Sequence, residues 1–151
     1  MNNDRRKVLK GTGGMAVMGL AVSAGLFKPG SAWAQGWNKA AFETKSLADT
    51  VKAMGGSGAT ESKDIVISSP DIAENGAVVP FTISSRVPKT ESIALLVEKN
   101  PNALAASFNI PAGTEAGVTT RVKMGQTSNV TALVKADGKF YTAQKEVKVT
   151  V

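Results

Sequence analysis

From residue 64 onward the chain is cut into seven runs rich in β-branched residues, each closed by turn-forming residues, and this punctuation limits the fold more than any other feature. The runs cover residues 64–68, 77–84, 91–98, 103–109, 117–123, 129–135 and 139–151. Strands at this spacing, with turn signals between them, predict two packed antiparallel sheets. Alternation is clearest near the end, where Val130, Ala132 and Val134 oppose Thr131 and Lys135, and Val147, Val149 and Val151 alternate with Lys148 and Thr150. Asp137-Gly138 between the last two runs is a strong two-residue hairpin signal. Asn75-Gly76 marks a second tight turn, since both residues tolerate positive φ, and Pro80 belongs at an edge or bulge of the strand that follows.

Ahead of the strands, Trp37, Ala41, Leu47, Ala48, Val51 and Met54 recur at helical spacing, opposite Lys39, Lys45, Asp49 and Lys52. This pattern predicts one amphipathic helix over 37–54, docked on the domain's own sheet and ended by Gly55-Gly56-Ser57-Gly58. With no cysteine, and with Trp37 in the helix, the disulfide and tryptophan core of antibody domains is excluded. The expected fold is therefore mainly β: an immunoglobulin-like antiparallel sandwich of about seven strands behind one N-terminal helix.

The first 34 residues read as an export leader rather than as part of that domain. Arg5-Arg6-Lys7 precedes a weakly apolar Gly- and Ala-rich run over 11–27, and Ala32-Trp33-Ala34 forms a small-residue cleavage site before Gln35. Lys28 and Pro29 interrupt the run just before that site, which argues for the twin-arginine route and against a membrane anchor. The expected organisation is a signal peptide at 1–34, the helix and Gly-rich exit at 35–58, and a β-sandwich at 59–151, located in the periplasm and exported folded. The leader holds five of the 18 basic residues and one of the 12 acidic ones, leaving 13 against 11 in the mature chain. The basic pI thus comes mostly from a segment that is removed, and no dense Lys/Arg patch remains to neutralise phosphates. Neither nucleic acid nor, after cleavage, a membrane is an expected partner.

Composition also narrows the chemistry. Without His or Cys there is no imidazole base, thiol nucleophile or ordinary transition-metal ligand set in these 151 residues. Asp71 and Glu74, three apart beside a turn, can in principle share a proton or hold a hard cation; the plainer reading has Asp71 organise the turn and Glu74 face solvent or a partner chain. Met54 and Met124 read as core fillers rather than copper ligands. The glycine run at 55–58 lacks the Lys-Ser/Thr of a phosphate loop, and Asn129-Val130-Thr131 fits a glycosylation pattern only formally. No catalytic residue, metal site or cofactor is expected.

Four strings carry a resemblance. They are Ile72-Ala73-Glu74-Asn75-Gly76-Ala77-Val78-Val79-Pro80, Val97-Glu98-Lys99-Asn100-Pro101, Val122-Lys123-Met124 and Lys145-Glu146-Val147-Lys148-Val149-Thr150. In this order, behind a twin-arginine leader and an N-terminal helix, the chain resembles the SoxY family, the sulfur-carrier subunits of the periplasmic Sox thiosulfate-oxidation system. The resemblance implies a carrier rather than an enzyme, paired with SoxZ as a heterodimer and docking transiently to SoxAX, SoxB and SoxCD. It also implies that sulfur intermediates ride on one cysteine in a mobile Gly-Gly-Cys-Gly-Gly tail. Such a tail would begin directly after Val151, and glycines there would give a thiolate the reach to enter several narrow sites. The alternative reading is a periplasmic binding or assembly domain with the same sandwich and no sulfur chemistry. A third, an enzyme built on Asp71 and Glu74, predicts activity in the isolated chain that Glu74→Gln abolishes.

Overall fold

A computed structural model describes residues 38–150. The leader at 1–34, the helix residue Trp37 and the last residue, Val151, lie outside the described residues. The elements run α1 (Lys39–Phe42), α2 (Leu47–Ala53), β1 (Thr60–Glu61), β2 (Ile65–Ser68), β3 (Ile72–Ala73), β4 (Val79–Ser85), β5 (Thr90–Val97), β6 (Leu104–Asn109), β7 (Gly117–Val122), β8 (Ser128–Ala136) and β9 (Lys139–Val149). The large sheet has the order β1-β9-β8-β5-β6, with β3 also pairing β9, and the small sheet has the order β2-β4-β7.

The apolar face of each sheet dictates how they stack. Ile83, Phe81 and Val79 of the small sheet meet Ile93, Leu95, Val97, Val130, Val134 and Val147 of the large one in a single cluster. Val130, Ala132 and Val134 are all fully buried and Lys135 is not, but Thr131, which the alternation sets opposite them, is buried too, because β8 is covered on both faces. The large sheet is apolar on its outer face too. Ala94, Leu96, Leu133 and Phe140 form a second core there with Ala41 and Val51 of the helices. The result is three layers, helices on sheet on sheet, with β5 buried on both faces. Met124 lies in the inter-sheet core and Met54 packs against the second core, so both methionines fill space in separate clusters.

Residues 37–54 do not form the single helix that their period suggests; the described part is two short helices. Ser46 adopts an extended conformation and caps α2, accepting from the Asp49 amide at 3.1 Å and donating to the Asp49 carboxylate at 2.7 Å. Short hydroxylated side chains that bond nearby main chain compete with helix continuation, and Thr44 and Ser46 do so here. Periodicity survives the break because both helices lay their apolar side on the same sheet. Gly55 then closes α2 in the left-handed conformation, φ +87°, as expected.

All seven predicted strands form, and Asp137-Gly138 makes the two-residue hairpin with φ of +49° and +73°. Two strands escape prediction. β1 and β3 are two-residue parallel pairs on β9, too short to leave a pattern. Pro80 lies in the central strand of its sheet, but at the end that β2 does not reach. The β2–β4 register runs from Ile65↔Ser85 to Ser68↔Thr82, and two further steps would set Pro70 opposite Pro80. Neither proline has an N–H to donate, so pairing stops there and Pro80 occupies a local edge.

Candidate functional site

The four strings that carry the resemblance converge on one end of the sandwich, where β5, β7 and β9 finish and β4 begins. The link between them is main-chain and short. The Met124 amide donates to the Gly76 carbonyl at 2.7 Å. Asn100 bridges the next pair, its side-chain amide donating to the Lys123 carbonyl at 2.8 Å while its oxygen accepts from the Gly125 amide at 3.4 Å. Glu98 and Lys99 are tied to the start of β8 through Asn129 and the Ser128 hydroxyl.

Within the first string the residues divide by role. Ala73 and Val79 are buried, Gly76 is half-buried, and Ile72, Glu74, Asn75 and Pro80 are exposed. Asn75 organises the turn, its side-chain oxygen accepting from the Ala77 amide at 2.9 Å and its carbonyl from Val78 at 3.3 Å. Gly76 does not take positive φ, so the expected reason for it is corrected. A Cβ at Gly76 would run into the Met124 carbonyl oxygen and sit 2.7 Å from Val149 Cγ1. Close approach of three segments requires the glycine.

The end of β9 is clamped from both sides. Along β3, the Lys148 amide donates to the Asp71 carbonyl at 2.9 Å and the Thr150 amide to Ala73 at 3.0 Å. On the other side the Val149 amide donates to the Thr127 hydroxyl at 3.0 Å. Lys145 locks the segment leading into β3, donating to the Ser69 carbonyl at 2.7 Å and pairing with Asp71 at 2.9 Å. The Asp71 carboxylate is thereby engaged by a lysine and its carbonyl by β9, so Asp71 ties the segment to β9 while Asn75, rather than Asp71, organises the turn. Sequence reading quotes Lys145 only as part of the fourth string and passes over Thr127, because their partners lie 76 and 22 residues away with no local signal. Replacing Lys145 by Met, which keeps the stem but loses the charge, should cost about 1 kcal/mol, since Asp71 is largely exposed and screened. Hydrogen exchange at the Lys148 and Thr150 amides should accelerate; unchanged exchange there would show that Lys145 does not hold the clamp.

Chemically the site is a junction of main-chain segments held by hydrogen bonds and one ion pair. Lys99, Lys123 and Lys148 are exposed around it, mixed with Glu74 and Glu98. Among the described residues no group of three or more His, Cys, Asp or Glu can hold a metal. A cleft of about 540 Å³ lies elsewhere, lined by Val87, Thr90, Ile110 and Thr114 together with the 3.4 Å ion pair Lys89–Asp137. It brings together none of the candidate residues.

Comparison with known proteins gives a consistent result. The model of the SoxY family, sulfur oxidation protein SoxY, matches residues 51–151. The solved structure of the sulfur carrier protein SoxY from Chlorobium limicola f thiosulfatophilum is 36% identical with a TM-score of 0.60, covering 68% of this chain and 96% of that one. A superoxide reductase (neelaredoxin) from Ignicoccus hospitalis superposes with a TM-score of 0.52 at 20% identity, covering 60% of this chain and 82% of that one, a likeness of fold alone. No curated protein matches the sequence.

Proposed function

The chain belongs to the SoxY family, and we propose on that premise that it is a non-enzymatic carrier of covalent sulfur intermediates in thiosulfate oxidation. The observation that carries the reading is the family match over residues 51–151, which spans every strand from β1 to β9. A carrier needs one thiolate free to leave the domain. The 151 residues hold no cysteine, so the reading puts that thiol on a glycine-rich segment following Val151. The clamp of β3 and Thr127 on the end of β9 supports it, because a swinging arm is useful only if its base is fixed.

The same reading places the protein in the periplasm, exported folded through its Arg5-Arg6 leader, paired there with SoxZ and presenting its cargo to SoxAX, SoxB and SoxCD. Intact-mass analysis of the protein isolated from its host after growth on thiosulfate tests the central claim. Adducts of sulfane and sulfonate sulfur that disappear on reduction are expected. A protein recovered without any thiol would end covalent carriage for this chain.

A further inference from the structure

Between the link that joins α1 to α2 and the outer face of the large sheet lies a cavity of about 220 Å³. Its floor is one row of residues across four strands. The register sets Gln144 of β9 beside Thr131 of β8, Thr131 beside Leu96 of β5, and Leu96 beside Leu104 of β6, next to Ala103. Polarity therefore falls along the row, from an amide and a hydroxyl to Leu96 and Ala103, which belong to the second core. Lys45 and Leu47 line the cavity from the helix side, and Glu98, just past the end of β5, lines it from the sheet.

The polar groups around this space have few partners of their own. Thr131 is only 6% exposed, yet its hydroxyl takes no partner among the described residues. The hydroxyl that is both unpartnered and sealed from solvent is that of Ser69, so the Thr131 hydroxyl keeps access to the cavity that Thr131 lines. The Lys45 ammonium and the Gln144 amide likewise take no partner among the described residues, whereas Lys39, Lys89, Lys135 and Lys145 all pair with carboxylates. One Glu98 oxygen accepts from the Asn129 side-chain amide at 3.1 Å, which leaves the other open. Buried polar groups are normally satisfied, so an unpartnered hydroxyl beside a cation, an amide and a half-engaged carboxylate marks a place for a ligand. The 540 Å³ cleft is the opposite case. Its Thr90 and Thr114 hydroxyls donate to the Val87 and Pro111 carbonyls, and its Lys89 pairs with Asp137, so its polar lining is already engaged.

We propose that the smaller cavity binds a small α-amino acid with an apolar side chain. A ligand of that class answers every group present. Its carboxylate accepts from Lys45, the Thr131 hydroxyl and the Gln144 amide, its ammonium donates to the open oxygen of Glu98, and its side chain lies on Leu96, Ala103 and Leu47. A plain carboxylic acid would meet Glu98 with no charge to offset it, and a plain amine would meet Lys45 in the same way. The volume lies below the about 300–1,000 Å³ of drug-sized pockets, which restricts the ligand to a small one. The site is independent of the carrier reading, since it needs neither a thiol nor any residue after Val151.

Titration of L-valine into the mature protein, followed by calorimetry and by amide chemical shifts, tests the proposal. Saturable one-to-one binding is expected, with the amides of Leu96, Thr131 and Gln144 shifting most. Isovalerate, which lacks the ammonium, and isobutylamine, which lacks the carboxylate, should each bind at least about tenfold more weakly. Thr131→Val keeps the shape of the side chain and removes the hydroxyl, so it should weaken valine binding by about tenfold. Its thermal midpoint should not fall, because that hydroxyl holds nothing within the fold. Lys45→Gln should weaken binding similarly, while Lys89→Gln, a lysine of the other cleft, should leave it unchanged. No saturable binding of valine up to tens of millimolar, either analogue binding as tightly as valine, or full binding by Thr131→Val would overturn the proposal. A Thr131→Val midpoint below that of wild type, or an equal loss of binding in Lys89→Gln, would do so as well.

Discussion

Phe81→Ala should lower the unfolding free energy by about 3–5 kcal/mol, the largest loss expected from a single truncation in this domain. Phe81 is 1% exposed at the middle of β4, the central strand of the small sheet. It belongs to the cluster through which the two sheets touch, opposite Ile93, Leu95 and Val134. Phe81 is paired with Thr120 of β7, and β2 is paired with β4 from Thr82 onward, which limits how far the site can collapse around the missing ring. The cavity term therefore adds to the lost transfer free energy. Against a total stability of about 5–15 kcal/mol, such a loss removes a large share of the folded state's margin. Urea unfolding should show a midpoint displaced downward with an unchanged slope. A loss below about 1 kcal/mol would mean that the sheets do not depend on this ring for their contact.

How much of this was legible beforehand depends on how local the cause is. The Asp137-Gly138 hairpin could be read because both residues have to adopt positive φ within two positions of each other. The strands could be read because at least one face of each is apolar over several residues, and β4, alternately buried and exposed, shows this plainly. β3 could not: two residues, Ile72 and Ala73, become a strand only because β9 passes beside them some 75 positions later. The helix break illustrates the opposite failure, in which a long-range regularity, apolar spacing toward one sheet, masked a local event at Ser46. For the site, the four strings pointed to the family through their wording, yet nothing in them announced that they meet at one end. The Gly76–Met124, Asn100–Lys123 and Lys145–Asp71 links that join them all cross 20 residues or more. Long-range bonds between short polar side chains and main chain leave no periodic trace in a sequence, whereas apolar faces do.

Gly76→Ala is expected to destabilise the protein by about 1–3 kcal/mol even though its backbone conformation suits alanine. Two effects oppose each other at this position. Alanine would restrict the unfolded chain and so stabilise the fold by about 0.4–1 kcal/mol where φ is ordinary and space is free. Gly76 has ordinary φ but no space, since a Cβ would strike the Met124 carbonyl oxygen and the Val149 side chain. The carbonyl is the decisive obstacle. It is main chain, held in place because the amide of the same residue donates to the Gly76 carbonyl, and it cannot rotate aside as a side chain would. Collision thus outweighs the entropic gain, and the strain falls on the junction of the 72–80 turn, the segment after β7 and the end of β9. Gly138→Ala gives the reverse case, with φ at +73° and nothing within 4 Å of the new Cβ, so its cost, about 1 kcal/mol, is conformational and confined to the hairpin. Hydrogen exchange separates the two. Gly76→Ala should speed exchange at Met124, Lys148 and Thr150, the amides around the crowded junction, while Gly138→Ala should leave them protected. On the carrier reading, the first substitution also loosens the base of the arm and the second does not. A Gly76→Ala protein as stable as wild type, or more so, would show that the junction has room to relax and that crowding is not why glycine stands there.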